Sequence, residues 1–593
     1  MSPSYQTNQR HNPEDAAGIL ILCVCVVLGL CWYIAVSRLH VRNDQCLELF
    51  LYGMIGVFGS LLLGSHFIGR RQKREENWPH PPLAISSRKD SAMLKAAQES
   101  SATLLGYTVQ NEPWYWPDEI RTKHGILVGG TGAGKTTTLM NIIRQDVRRT
   151  YNGRKMPMII LNGKGDNDFE RAVVAAVEGA GRMQDLRIVN PSRPHESSSY
   201  NPFYAVDDNY QEHVNFIFRS FGLREDFFSG HQEAYLSDIV RILFYTGKRF
   251  NVYDVMVMAL DEQVLEEQVA LARQRIATLP DISAQQRRNF DMSVRMIARS
   301  LEDRERVEKI QGLLNELLAF LEDDLSIITG SYQDLLTLDD VLDKDLILLV
   351  SLNVNANERA VQALGRIILQ NLRLMVGKRY SREPGQGQAA EPMVSVILDE
   401  IEAFAFPGFA NILQTARGAR ISITFSFQML SQLINIGHAF AEEVSAAPQT
   451  KMIMNISEES TVQWFMKASA RVATKRRSLS VRKTGLFSTR YVETGTGSES
   501  EIKETRARED QIKNLPTGQM QILMVDPREG TKYSHLLVRR DPAWELPGMS
   551  PRPYPKLRSR IDPLIGAHLR FSEKENRKKR RRRTIGAAMG EQL

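Results

Sequence analysis

The eight residues Gly129, Gly130, Thr131, Gly132, Ala133, Gly134, Lys135 and Thr136 constrain this chain more than any other segment. They follow the apolar run 125–128, whose length and character predict a short buried strand. They precede residues 137–143, beginning at Thr137, which read as a helix. Strand, glycine-rich turn and helix, in that order, are what a phosphate-binding P-loop requires. The glycines let backbone N–H groups curl around phosphates, and the helix N-terminus adds partial positive charge. Lys135 is expected to reach the β- and γ-phosphates, and the Thr136 hydroxyl to ligate Mg²⁺. ATP and Mg²⁺ are therefore the predicted cofactors.

Such a loop needs a carboxylate on a neighbouring strand to complete the magnesium shell. The apolar run 393–398 ends in Asp399 and Glu400. Asp399 would hold the ion through water, and Glu400 would polarise the attacking water as general base. An Asp–Glu pair is also a common strand-end cap. Two further buried-strand runs, 158–161 and 421–426, frame this core. The first leads into Asn162, Lys164 and Asp166, the second to Gln428. Ligands of open α/β sheets gather beyond the carboxyl ends of the strands. Gln428 is thus placed either to sense the γ-phosphate or to cap its strand, and Lys164 and Asp166 read equally as plain turn residues.

A chain of 593 residues exceeds one hydrophobic core, so two or three domains are expected. From 209 to about 324 the pattern turns helical, with Glu-, Gln-, Arg- and Leu-rich stretches such as 262–276 and 295–321. This predicts an all-α insertion inside an α/β domain. Strand character resumes over 345–351, followed by a helix over 358–376 and a strand candidate at 451–456. Residues 475–504 are rich in Ser, Thr and Gly and read as a flexible or β-hairpin insert. The predicted boundaries are 1–75 for an anchor, 76–208 and 331–545 for the two parts of the nucleotide-binding domain, 209–330 for the insertion and 546–593 for a basic tail.

Residues 16–36 form an uncharged apolar run of about the 20 residues needed to cross a bilayer. A second run, 49–68, carries only His66 as an ionisable group. The first is too long for a signal-peptide core and lacks a clear basic leader. Arg70, Arg71, Lys73 and Arg74 follow the second span, a denser cluster than Arg38 and Arg42 between the spans. The positive-inside rule then puts the N-terminus and the bulk of the chain on the cytoplasmic side. Gly56, Ser60 and Gly64 share one face of the second span, which permits close helix packing, although Gly is common in membrane helices. The four cysteines, Cys23, Cys25, Cys31 and Cys46, leave the remainder with neither a disulfide framework nor a Cys-based metal site. A net charge of +7 suits an anionic partner or a solvated surface. The basic run 577–583 reads as a disordered tail or as an attraction to DNA or anionic lipid.

Two spans, a P-loop, an all-α insertion and an Asp–Glu strand, in this order, resemble the type IV secretion coupling proteins of the TraD and TraG family. The likeness is closest to TraD-like conjugative coupling factors and covers roughly residues 16–470. Its local stretches are 129–136, the turn Asn201, Pro202 and Phe203, then 348–352, 398–400 and 425–428. The resemblance implies a RecA-like, homo-hexameric motor, multi-pass in the bacterial inner membrane. It would deliver DNA with its relaxase, or protein substrates, to the channel components of a type IV secretion system. It also implies that the insertion contacts substrate, and that an arginine finger reaches in from the adjacent protomer. Arg417 stands at the matching point between the Asp–Glu strand and Gln428, with Arg420 as runner-up. Asn162 stands where relatives often carry Asp, so no magnesium role is implied there. No long acidic C-terminal extension is visible, so relaxosome docking by that route is not implied. An FtsK-type translocase would favour four spans, a long linker and a winged-helix end; an ABC transporter would need its signature motif. A non-hydrolysing receptor would not need Lys135, Thr136, Asp399 and Glu400 together.

Overall fold

The computed structural model describes Ser37 and residues 87–540, apart from 204–209, 222–228, 322, 333–334, 353–357, 382–390 and 484–490. The predicted spans and the basic run 577–583 lie outside the described residues. Among the described residues no helix is long and apolar enough to cross a membrane. The architecture below belongs to the unit Pro81–Leu593.

The strands are β1 (Ala102–Thr108), β2 (Pro113–Pro117), β3 (Gly125–Val128), β4 (Thr150–Tyr151), β5 (Arg154–Lys155), β6 (Met158–Asn162) and β7 (Leu186–Val189). After the helical insertion come β8 (Ile347–Ser351), β9 (Val394–Asp399), β10 (Ile421–Phe427) and β11 (Thr450–Ile453). The last are β12 (Arg471–Lys483), β13 (Tyr491–Thr505), β14 (Gln519–Asp526) and β15 (Gly530–Val538). Eleven of them form one sheet, ordered β2-β1-β15-β14-β11-β3-β10-β9-β6-β8-β7. The block from β11 to β7 is parallel. β14, β15, β1 and β2 extend it antiparallel. β12 and β13 pair as an antiparallel ribbon, the hairpin alternative for the Ser/Thr/Gly-rich stretch.

The strands of the parallel block are apolar runs because both faces are covered. β3, β6 and β8 are buried along their whole length. Successive side chains go to opposite layers. Ile126, Val128, Ile159 and Leu161 pack with the insertion and with the helices Glu358–Ser381 and Phe409–Ala416. Leu127, Met158 and Ile160 pack with the helices Lys135–Asp146 and Asn167–Gly179. Between β7 and β8 every described element is helical.

Three expectations need correction. The Asp399–Glu400 strand does not neighbour the P-loop strand: β10 lies between them. Two strand spacings of about 4.8 Å put the carboxylates roughly 10 Å from the P-loop strand, room that a phosphate chain and its cation need. The helical stretch 295–321 is broken into Ala284–Glu302, Arg306–Lys309 and Gln311–Ala319, the first break falling at Asp303, whose extended backbone stops the helix. Strand β8 starts at Ile347 rather than at 345 because Asp345 adopts a left-handed turn (φ 52°).

The far end of the P-loop helix is locked from below. Asp146, its last residue, takes a fork of hydrogen bonds from Arg121 at 2.8 and 2.6 Å. Its carboxylate also accepts the Ser395 hydroxyl of β9 at 2.7 Å. Arg121 and Asp146 are both fully buried, and although burial disfavours the charged guanidinium, the Asp146 carboxylate outweighs it and raises the Arg121 pKa. The helix carrying the P-loop is thereby fastened to the strand carrying Asp399.

Candidate nucleotide site

β3 ends at Val128 and the chain turns through Gly132 (φ 77°) and Gly134 (φ 114°) into the helix Lys135–Asp146. Only glycine enters those left-handed conformations without strain. Gly134 is the N-cap and offers no side-chain cap, so the first N–H groups of the helix face the loop. Such donors and the helix dipole together make an anion cradle. The cradle is pinned from two sides: Gly130 N–H donates to Asn455 O, just past β11, at 2.8 Å, and Gly518 N–H, just before β14, to Ala133 O at 3.0 Å. The Asn455 side chain in turn bonds Lys513 O and Leu515 O at 3.0 and 2.8 Å. Thr136 and Thr137 are half-buried at the helix start.

Lys135 is buried and curls along the loop, donating to Gly129 O at 2.7 Å and more loosely to Gly130 O at 3.4 Å. Burial lowers its pKa, opposed by Asp399, Glu400 and Glu402. One ammonium therefore faces three carboxylates.

Register brings the remaining residues to the same end of the sheet. Val128 pairs with Phe427, so Gly129 and Gln428 leave their strands side by side. Leu398 pairs with Phe425, which sets Asp399 beside Ser426. The Ser426 hydroxyl donates to Asp399 Oδ1 in a short contact and accepts the Glu400 N–H at 3.2 Å. Burial raises the Asp399 pKa, while the Ser426 bond lowers it. Glu400 sits in the left-handed region (φ 54°, ψ 62°), strain of the sort that collects at functional sites. From there its Oε1 accepts Gln428 Nε2 at 3.1 Å, and Gln428 Oε1 accepts the Thr131 hydroxyl at 3.4 Å. A line of hydrogen bonds thus joins the P-loop to Glu400 through Gln428. Mg²⁺ is commonly held by one or two protein oxygens plus phosphate and water; the Thr136 hydroxyl and Asp399 fit that donor set.

Two participants escape sequence reasoning. Ser426 was signalled only by the polar stripe Ser422, Thr424, Ser426 and Gln428 at alternate positions of an otherwise apolar strand. Glu402, in the single turn Ile401–Ala403, carries a buried Oε2 without a hydrogen-bond partner among the described residues, and burial pushes its pKa up to about 7. Nothing in its spacing marks it. Asp166 is a helix N-cap, its carboxylate accepting Asp168 N–H at 2.9 Å, which is the turn reading. Lys164 is exposed and close enough to lower the pKa of Lys135.

Arg417 and Arg420 are not brought to this site. They precede β10, at the end of the parallel strands opposite the P-loop. Arg417 is exposed, whereas Arg420 is half-buried, left-handed (φ 53°) and already engaged. Neither can reach the phosphates held by its own chain.

A family model described as type IV secretory system conjugative DNA transfer matches residues 86–542. The type 4 coupling protein DotL of Legionella pneumophila subsp. pneumophila is 23% identical over 511 residues, 76% of this chain and 62% of DotL. The chain thus spans less than two thirds of that curated relative. Among solved structures, the unbound form of the bacterial conjugative coupling protein TrwBdeltaN70 matches with a TM-score of 0.51 at 14% identity, over 77% of this chain and 92% of that one. The plasmid coupling protein TrwB in complex with ADP and Mg²⁺ matches with a TM-score of 0.49 at 13% identity, over 77% and 93%. The first structural likeness shows a shared mixed α/β fold built on a large parallel sheet.

Proposed function

Because this chain belongs to the conjugative DNA transfer family of type IV secretory systems, we propose that it is an ATP-driven coupling motor that brings a relaxase–DNA complex to the secretion channel. The carrying observation is the line Thr131–Gln428–Glu400, which ties a phosphate cradle to a carboxylate one strand beyond its neighbour. The proposal includes a RecA-like motor with the helical insertion 209–330, a membrane anchor through 16–36 and 49–68 with the bulk cytoplasmic, and a homo-hexameric ring.

In this reading the amides of 129–137 hold the phosphates and Lys135 exchanges Gly129 O for the γ-phosphate. Thr136 and Asp399 hold Mg²⁺, which when bound neutralises charge building on the phosphates. Glu400 accepts the proton of the attacking water. Gln428, already bonded to both Thr131 and Glu400, reports γ-phosphate to the base. Arg417 of a second copy supplies a further cation to the charge that develops on the phosphates.

The test is turnover of the full-length protein with and without DNA. Single- or double-stranded DNA should raise it at low salt and lose that effect as salt rises. Lys135→Ala should abolish both turnover and conjugative transfer while leaving membrane insertion intact. A Lys135→Ala protein with most of the wild-type rate refutes the site. A wild-type rate indifferent to DNA, with effector export lost on deletion, moves the cargo to protein.

A further inference from the structure

The helix Phe409–Ala416 ends one residue before Arg417. Carbonyls in the last turn of a helix have no partner inside it. Here two of them are taken by distant parts of the chain. Leu413 O is bonded to His124 Nε2 at 2.6 Å, and Thr415 O accepts the Tyr380 hydroxyl at 2.8 Å. Ala416 O accepts Ala419 N–H at 3.1 Å. His124 comes from the turn before β3, and Tyr380 from the last turn of Glu358–Ser381.

The two clamps differ in kind. His124 is 2% exposed and left-handed (φ 67°). Its Nδ1 faces the Ile423 N–H at 3.1 Å and must accept, so Nε2 carries the proton and donates to Leu413 O. Burial keeps the ring neutral, its pKa lowered to about 4. Tyr380 is 50% exposed and lies across Gly418, where an added Cβ would come within 1.8 Å of its hydroxyl oxygen. Glycine at 418 is what allows the tyrosine to close over the turn. Arg417 continues the helix geometry (φ −53°, ψ −51°) and lines, with Lys123, His124, Gln414 and Glu443, a cavity of about 520 Å³.

We propose that His124 and Tyr380 are positioning residues for Arg417: they clamp the last turn of its helix and so aim the guanidinium at the nucleotide bound by a second copy of this chain. This rests on the reading of Arg417 as a finger acting across copies. An exposed arginine on a fraying helix end would have to be ordered at each turnover, whereas a fixed backbone leaves only the side chain to settle. His124 sets the depth of the helix against β10 and Tyr380 holds its penultimate carbonyl, that of Thr415.

His124→Asn separates this role from sheet stability. Asparagine tolerates the left-handed backbone and still offers Ile423 N–H an acceptor, but it is too short to reach Leu413 O. Tyr380→Phe removes only the hydroxyl. In the full-length protein, each should leave the KM for ATP unchanged and lower kcat, His124→Asn by about 10-fold or more, the scale of a misplaced catalytic group. Mixing His124→Asn with Lys135→Ala should recover activity, because intact P-loops then meet intact fingers. Mixing it with Arg417→Ala should recover none, because both damage the same side of the contact. Nor should His124→Asn slow Arg417→Ala further. A merely structural histidine would give losses that no mixing partner repairs. Arg417→Ala with wild-type turnover, or without rescue by Lys135→Ala, overturns the finger and this proposal with it. Rescue of Arg417→Ala but not of His124→Asn, or a raised KM, overturns this proposal alone.

Discussion

The Arg121–Asp146 pair beneath the site makes a quantitative prediction. Asp146→Ala removes both prongs of the fork and the acceptor of Ser395, leaving a fully buried guanidinium whose remaining carboxylate, Asp118, stands 3.7 Å away. Breaking one side of a buried pair costs about 3–5 kcal/mol, because the stranded charge cannot be hydrated. An unfolding entropy of about 2.1 cal/mol/K per residue over roughly 450 residues comes to about 0.9 kcal/mol/K. The unfolding midpoint should therefore fall by about 3–5 °C. Replacing both partners, Arg121→Met with Asp146→Leu, should cost far less than the single change, since no orphan charge remains. Tryptophan fluorescence is a suitable readout: Trp116 is fully buried with the Arg121 guanidinium 5.3 Å from its ring centre. The sign of the pH dependence follows from the same pair. Arg121 outweighs the burial penalty and holds the Asp146 pKa below its ordinary value. The pair's contribution is then present above the unfolded carboxylate pKa, about 3.9, and lost only as pH falls through the lower folded value. The deficit of Asp146→Ala should be constant from pH 8 to 5. A midpoint within 1 °C of wild type, or a double variant worse than the single, refutes the reasoning.

Other outcomes can be checked alongside. Glu400→Gln should still bind ATP, measured with a fluorescent analogue, while turnover slows by about 10²-fold or more; weaker binding with unchanged turnover per bound ATP would make Glu400 structural. Ser426→Ala frees both Asp399 and the Glu400 N–H, so turnover should fall with nucleotide affinity changed less; an unaltered rate would remove Ser426 from the site. His124 and His535 are both buried with pKa values lowered to about 4. The unfolded chain binds more protons than the native one between about pH 6.5 and 4, so the midpoint should decline across that window, and His535→Phe should flatten the decline. Glu402, pushed up to about 7, has the opposite sign: its burial costs stability as pH rises from 4.5 through 7, and Glu402→Gln should relieve the loss at pH 8 but not at pH 4.

The parallel strands and the P-loop were legible because their signals are local. An apolar run of four to seven residues followed by Gly134, Lys135 and Thr136 fixes strand, turn and helix without help from elsewhere. Strand order was not legible: β9 and β10 both read as buried strands, and only pairing across long crossovers decides which lies beside β3. Asp399 and Glu400 stood out because they end an apolar run, whereas Glu402 is one acidic residue among several until folding buries it. The same holds for His124. As a lone histidine before a strand it carries no message, and its meaning lies in carbonyls some 290 positions away.

The two margins of the sheet limit how copies of this chain can meet. β2 begins and ends with proline, so Pro113 and Pro117 have no amide hydrogen to offer a further strand. β7 is only four residues long, and its Ile188 carbonyl is already occupied by Ser198 N–H at 2.7 Å. Neither margin is a template for ladder extension. In the ring proposed above, subunits that met at these margins would touch through side chains, at contacts that can open and reclose without unzipping backbone.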